Sequence, residues 1–196
     1  GDIGQRLAAI RARDGADAVA TYLGNPTAHD YGAALASTVL RAVLGGRNHF
    51  SAASLDNLPR VVASATLFGS PAAVPVPDLD HTEHLLVIGA NPLVSNGSGM
   101  VSPDITRRLR AIQERGGRIV VVDPRRTETA AIADQHHFIR PGSDAFLLLA
   151  MMERLFATGV AARSPFCRDA GFEALGAAVR EFTAERVAAR VGLPAA

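Results

Sequence analysis

The chain reads as an α/β protein: a Rossmann-like parallel sheet with helices on both faces, in three layers. Two short apolar runs, Leu85 to Ile88 and Ile119 to Val122, each end at a turn residue, Gly89 and Asp123. Runs that short read as strands buried on both faces. The segment between them carries a helical pattern, and strands alternating with helices imply parallel pairing under helical layers. Turn residues recur where each strand ends, at Gly24-Asn25-Pro26, Gly89 to Pro92, Asp123 to Arg126 and Pro141 to Asp144. Ligands of such sheets sit at the carboxyl ends of the strands.

In chain order, Ile3, Leu7 and Ile10 fall at helical spacing, which predicts an amphipathic helix over 3–13. Residues 18–23 read as a first strand, closed by Gly24-Asn25-Pro26. A helix follows from Tyr31 to Leu44, stopped by Gly45-Gly46. Asn48 to Ala52 reads as a short strand, and Pro59 sits in the first turn of a helix running to about Phe68. Residues 69–80 hold three prolines and read as a surface connection. The central unit is a strand at 84–89, a Ser/Asn/Gly-rich loop to Gly99, a helix at 103–115, the break Gly116-Gly117 and a strand at 118–123. A short helix at 127–133, a strand at 137–140 and an apolar helix from Asp144 to about Phe156 complete it, with Ser143 or Asp144 near the N-cap. The tail, 160–196, reads as helical. The whole is expected to form one domain with its core over 17–158.

Composition bounds the function. With 196 residues, 48% of them hydrophobic, the chain can bury a sizeable core. A net charge of +1 supplies no basic field for nucleic acid. One cysteine, Cys167, excludes an internal disulfide framework and an all-cysteine metal cage. The apolar run from Ala145 to Met152 is too short to cross a bilayer. The start carries no secretory signal, which says little about a longer parent; the expectation is cytoplasmic, with any signal of the parent lying outside this piece. Because the chain opens on Gly1 and closes on Leu-Pro-Ala-Ala, the expectation is an internal piece of a longer protein. Adjacent His136 and His137 would point to opposite faces of a strand, so they read as structural, not as one metal site.

The stretch from His84 to Gly99 is the centre of the chain. A strand, a turn of small residues and a helix start together let backbone amides approach an anion. Asp123 lies where a Rossmann-like unit holds a ribose. The motif G-x-G-x-x-G is absent, and Asp123 lies 34 residues beyond Gly89 where about 20 is usual, which counts against a nicotinamide or flavin domain.

Asn91-Pro92, Asp123-Pro-Arg-Arg-Thr-Glu-Thr-Ala130, Ala133-Asp134 and Arg140-Pro-Gly-Ser-Asp144 occur in one order and spacing. Together they resemble the molybdopterin oxidoreductases, the group of formate dehydrogenases, nitrate reductases and dimethyl sulfoxide reductase. The resemblance implies molybdenum or tungsten on molybdopterin guanine dinucleotides, and two-electron or oxygen-atom transfer. It implies that Gly89, Ala90, Asn91, Pro92 and Ser95 lie along a pyrophosphate. Asp123, Pro124, Arg125, Arg126 and Thr127 would then hold ribose and guanine, with Gly142, Ser143 and Asp144 in the guanine-side loop. The chemistry suits these roles: a carboxylate accepts from two hydroxyls or from a guanine edge, and arginine meets phosphate with paired bonds. The alternatives are an N-cap for Asp144 and solvated surface for Arg125 and Arg126.

Val43 to Asn48 resembles the family's turn before its metal ligand, which places that ligand at Asp56, three residues before Pro59. Carboxylate oxygen suits an oxidised molybdenum centre. Departure from cysteine or selenocysteine there puts formate chemistry in doubt. Asp56 as an ordinary turn residue is the competing reading, and Ser51 and Ser54 are alternative ligands. The resemblance further implies an iron–sulfur cluster in a missing N-terminal part, a small-molecule substrate, the remaining domains of the parent chain and an electron-transfer partner. The piece alone would be inactive. A cofactor-free structural relative, as in a complex I subunit, is the main competitor, and Asp123, Arg125 and Asp144 argue against it because a scaffold needs no guanine site.

Overall fold

The computed structural model describes residues 1–97 and 100–195. Ser98 and Gly99, the end of the Ser/Asn/Gly-rich loop, lie outside the described residues. The sequence reads as one domain; the described residues cluster into two compact units, Gly1–Val74 and Pro75–Ala196.

The first unit opens with helix α1 (Asp2–Asp14), then places two parallel strands, β1 (Thr21–Leu23) and β2 (His49–Ser51), with helix α2 (Tyr31–Leu44) between them in sequence. Asp30 caps α2 by accepting the Ala33 N–H at 2.7 Å, and Gly45, in the left-handed region at φ 68°, ends it. β1 begins later than expected because 16–18 form a 3-10 turn. There the Asp17 carboxylate accepts the Arg47 N–H at 2.8 Å and pairs with its guanidinium. After β2 come a single helical turn, α3 (Ala53–Asp56), and helix α4 (Leu58–Phe68), with Pro59 in its first turn. Only Val19, Leu44 and Ser64 are buried among the described residues of this unit. Tyr31, Leu35, Val39 and Val43 make an apolar stripe along α2 that stays open to solvent.

The second unit holds a three-stranded parallel sheet in the order β3 (His84–Ile88), β4 (Arg118–Val122), β5 (Gln135–His137). Around it in sequence lie α5 (Pro92–Ser95), α6 (Ile105–Glu114), α7 (Glu128–Ile132), α8 (Asp144–Ala157), α9 (Phe172–Val179) and α10 (Ala184–Val191). The alternation of strand side chains divides the core in two. Val87, Ile119 and Val121 pack with Ile105, Leu109 and Ile112 of α6 and with Ala130 of α7. The neighbouring positions Ile88 and Val122 face the other way, onto Phe146 and Leu147 of α8 and Val191 of α10. Helices therefore cover both faces of this sheet, as the two doubly apolar strands required.

The last strand lies at 135–137, not at 137–140. Asp134 starts the ladder: its N–H donates to the Ile119 carbonyl at 2.9 Å and its carboxylate accepts the Ile119 N–H at 2.7 Å. By residue 140 the chain has left the sheet, and the Arg140 N–H donates to the Val191 carbonyl at 2.8 Å. The helix expected from 103 begins at Ile105, because Asp104 takes a left-handed φ of 53°. Gly97 is sterically required. At φ +70°, a Cβ there would lie 2.2 Å from the Ser102 carbonyl oxygen.

The Asp134 carboxyl is held below the ordinary aspartate range, first by the Ile119 N–H and then by Gln113 and Arg118. A depressed acid contributes stability that is complete above its unfolded value near ~3.9 and is lost as pH falls through the lower folded value. Asp134→Ala is therefore expected to lower the thermal midpoint at neutral pH and to flatten its acid dependence below about pH 4. Melts of wild type and variant across that range check this; parallel curves would refute it.

Candidate functional site

Strand register brings three turns of the second unit to one edge. Ile88 pairs with Val122, and Val122 with His137, so the carboxyl ends of β3, β4 and β5 are level. The ladder runs one step further. The Gly89 N–H donates to the Val122 carbonyl at 2.9 Å and the Asp123 N–H donates to the His137 carbonyl at 3.1 Å. Gly89 takes φ 60°, and the space beside its Cα is open where a Cβ would stand. A backbone bare on that side can be approached closely by a ligand.

Beyond β3, Pro92 is buried and Ser95 is exposed. The turn expected to run on as loop closes instead into α5, a helix too short for periodicity to reveal. Asn91 is half-buried, and its side chain is engaged at both ends. Its Nδ2 donates to Glu128 Oε2 at 2.7 Å, and its Oδ1 accepts from the Thr129 N–H at 3.2 Å and the Thr129 hydroxyl at 2.8 Å. Thr129 Oγ1 in turn accepts the Leu93 N–H at 3.2 Å. These four hydrogen bonds tie the start of α5 to the start of α7.

Beyond β4, Asp123 is buried, at 8% exposure. One carboxylate oxygen accepts the Arg125 N–H at 2.8 Å, and its carbonyl meets His136 Nε2 at 3.0 Å. The second carboxylate oxygen has no hydrogen bond among the described residues, so half of the group remains open to a hydroxyl or N–H donor. His136 is thereby engaged with backbone and packs against Phe138, ring centroids 4.3 Å apart, which gives it a structural role. Thr127 caps α7 by accepting the Ala130 N–H at 3.0 Å, and it is buried, so its hydroxyl serves the fold. Pro124, Arg125 and Arg126 are exposed. Arg125 approaches Glu128 at 3.7 Å, while Arg126 pairs with nothing among the described residues. The Glu128 carboxyl is held below the ordinary glutamate range by its own backbone N–H first, then by Asn91, with Arg125 adding attraction.

Beyond β5, Gly142 takes φ 76° and leads into α8. Ser143 occupies the N-cap position, but its hydroxyl donates back to the Arg140 carbonyl at 2.5 Å. Asp144 is the first helical residue rather than the cap. It is half-buried, and its carboxylate has no hydrogen bond or ion pair among the described residues.

Asp56 belongs to the first unit. It ends α3, just beyond the carboxyl end of β2, and is exposed. It does not cap the next helix: Asn57 holds the N-cap position of α4, without a side-chain bond. The Asp56 carboxylate has no partner among the described residues. Ser51 Oγ accepts the Ala53 N–H at 3.3 Å, and the Ser54 hydroxyl donates to the Ser51 carbonyl at 3.5 Å. Both alternative oxygens are therefore engaged locally and Asp56 is not. No set of three or more His, Cys, Asp or Glu groups able to hold a metal occurs among the described residues, and no helix there is long and apolar enough to cross a membrane. Cys167 lies half-buried in a 3-10 turn at 165–168, remote in sequence from these turns.

A family model described as molybdopterin oxidoreductase matches residues 3–183. The chain is 31% identical over 201 residues to the thiosulfate reductase molybdopterin-containing subunit of Salmonella typhimurium, covering 99% of this chain and 24% of that protein. It is 30% identical over 204 residues to formate dehydrogenase H of Escherichia coli, covering 98% of this chain and 26% of the relative. Among solved structures, acetylene hydratase from Pelobacter acetylenicus superposes with a TM-score of 0.69 at 26% identity, over 99% of this chain and 25% of that one. The chain thus spans about a quarter of the length of the relatives it matches.

Removing the α7 cap should show at once in stability. Thr127→Ala is expected to cost about 0.5–2 kcal/mol, the range for an N-cap hydroxyl, or roughly 1–8 °C in a domain of this size. A melt within a degree of wild type would leave the hydroxyl free for another role.

Proposed function

Since the chain belongs to the molybdopterin oxidoreductase family, we propose that it is the part of a longer molybdenum or tungsten enzyme that holds a molybdopterin guanine dinucleotide. The observation that carries this reading is the set of unpaired polar groups at one sheet edge: the Asp144 carboxylate, the Arg126 guanidinium and the free oxygen of Asp123, beside the bare backbone of Gly89. Unpartnered groups of both signs, gathered at strand ends, suit a ligand that carries anionic phosphates, hydroxyls and a base edge. A cofactor-free scaffold would have no use for them.

The residues fit the group by their donor and acceptor types. Gly89 and Ala90 would let the pyrophosphate approach the backbone, with Ser95 nearby in sequence. Arg125 and Arg126 would balance phosphate charge. Asp123 would accept from ribose hydroxyls, and Asp144 from guanine N1 and N2. Pro124 and Gly142 shape the turns that present these side chains, while Asn91, Pro92, Thr127 and Ser143 hold the turns in place. When bound, the pterin and its metal supply the electron or oxygen-atom chemistry, and the protein supplies position and electrostatics. Asp56 would be the protein ligand to the metal, with a hard oxygen suited to an oxidised centre. The parent would use an iron–sulfur cluster outside this chain, a small-molecule substrate and an electron-transfer partner; the thiosulfate reductase relative is itself described as a subunit. One structural relative is named a hydratase, so the substrate and the net reaction belong to the parent's other parts as much as to this one.

Two substitutions in the full-length parent test this reading. Asp144→Ala leaves a guanine donor pair unmatched, at a cost of about 1–3 kcal/mol in cofactor binding. Guanine nucleotide and molybdenum retained per polypeptide should fall under limiting cofactor; unchanged occupancy would remove Asp144 from the site. Asp56→Ala should abolish turnover while leaving guanine nucleotide content unchanged. A variant with near-normal activity would dismiss Asp56 as the ligand.

A further inference from the structure

Glu128 belongs to the motif running from Asp123 to Ala130 but is given no cofactor contact there, and it stands between two residues that are given one. Its Oε2 accepts from Asn91 Nδ2 at 2.7 Å and faces Arg125 Nη2 at 3.7 Å. Asn91 begins the turn after β3, and Arg125 lies in the segment after β4. Those are the two segments between which a dinucleotide would lie. Thr129, fully buried, holds the other end of the Asn91 amide and the Leu93 N–H. The amide is thus pinned on its oxygen by the buried Thr129 and on its nitrogen by the exposed Glu128.

The two bonds differ in kind. Thr129 is part of the core, so its contacts belong to folding. The Glu128 side chain is 58% exposed, and an exposed pair adds little to stability. What it does do is hold the nitrogen end of the Asn91 amide, whose oxygen end the Thr129 N–H already fixes. With a carboxylate on its nitrogen side, one of the two amide N–H donors is committed to Glu128, and the β3 turn is held against α7. An acceptor is all this requires; the negative charge is not. Charge beside an anion site would by itself oppose phosphate binding.

We propose that Glu128 is a positioning residue for the dinucleotide site, acting as a hydrogen-bond acceptor for Asn91 and not as a charge. The inference rests on the proposed cofactor reading. It concerns how the turns are set, with Glu128 itself making no cofactor contact.

The experiment uses the full-length parent. Guanine nucleotide retained per polypeptide is measured under limiting cofactor for Glu128→Ala, Glu128→Gln, Asn91→Ala and the Asn91→Ala/Glu128→Ala pair, with melts of each after cofactor removal. Glu128→Ala should retain roughly tenfold less, the effect of one hydrogen bond. Glu128→Gln, which keeps an acceptor for Asn91, should stay near wild type. The double variant should lose no more than the worse single, because both remove the same contact. Melts without cofactor should stay close to wild type for the two Glu128 variants, while Asn91→Ala, which also strips the buried Thr129 of its acceptor, melts lower. Equal losses in Glu128→Ala and Glu128→Gln would overturn the proposal in favour of a charge effect through Arg125. Increased retention in both would make Glu128 a mere repulsive neighbour, and additive losses would make Asn91 an independent contact; either result sinks the inference while leaving the cofactor reading standing. A wild-type parent devoid of guanine nucleotide would overturn both.

Discussion

The common level of three parallel strand ends is the constraint on which the candidate site depends. Parallel pairing leaves no freedom to place one turn at the opposite edge from the next. Once Ile88, Val122 and His137 are in register, Gly89, Asp123 and Phe138 must emerge side by side. That register is in turn held by burial on both faces: Val87, Ile119 and Val121 on the side of α6 and α7, Ile88 and Val122 on the side of α8 and α10. A slip of one residue would carry every one of these side chains to the wrong face. The polar turns are thus fixed by apolar packing that never touches a ligand.

Polar groups at this edge sort into those that build it and those left over. Asn91, Thr127, Thr129 and Ser143 are all donors or acceptors a ligand could use, and all are engaged with backbone or with one another. Asp123 is divided, one oxygen held by the Arg125 N–H and one open. Asp144 and Arg126 are unengaged among the described residues. In a folded protein, buried polar atoms find partners as a rule, and exposed ones contribute little by pairing. A half-buried carboxylate without a partner is therefore more informative than any number of exposed arginines, and Asp144 is that group.

Much of this was legible in the residues. The strands at 84–88 and 118–122, the helix from Tyr31 to Leu44 and the helix from Asp144 were readable because apolar runs, caps and glycine stops agreed with one another. What escaped was set by single tertiary contacts. Asp134 chose the start of β5 by reaching back to Ile119. Asp17 bound Arg47 and shortened β1. Asn91, in a motif that points to phosphate, proved to be tied to Glu128 and Thr129, which lie 37 and 38 residues further on. No local pattern encodes such a pairing. The helix α2 shows the converse: its stripe of Tyr31, Leu35, Val39 and Val43 is periodic enough to predict a buried face, yet it stays exposed because none of the described residues packs over it.

The same distinction separates the two carboxylates on which the proposed chemistry turns. Asp144 is placed by an element with a large apolar face, α8, whose Phe146 and Leu147 are anchored in the sheet. Its position is as firm as the core beneath it. Asp56 ends a single helical turn in a unit with little buried surface, and every residue from Ser51 to Asp56 is exposed. A side chain on so lightly anchored a segment takes little of its geometry from packing. The turn that carries Asp144 has no such latitude: α8 packs against Ile88 and Val122, the last residues of two strands in register.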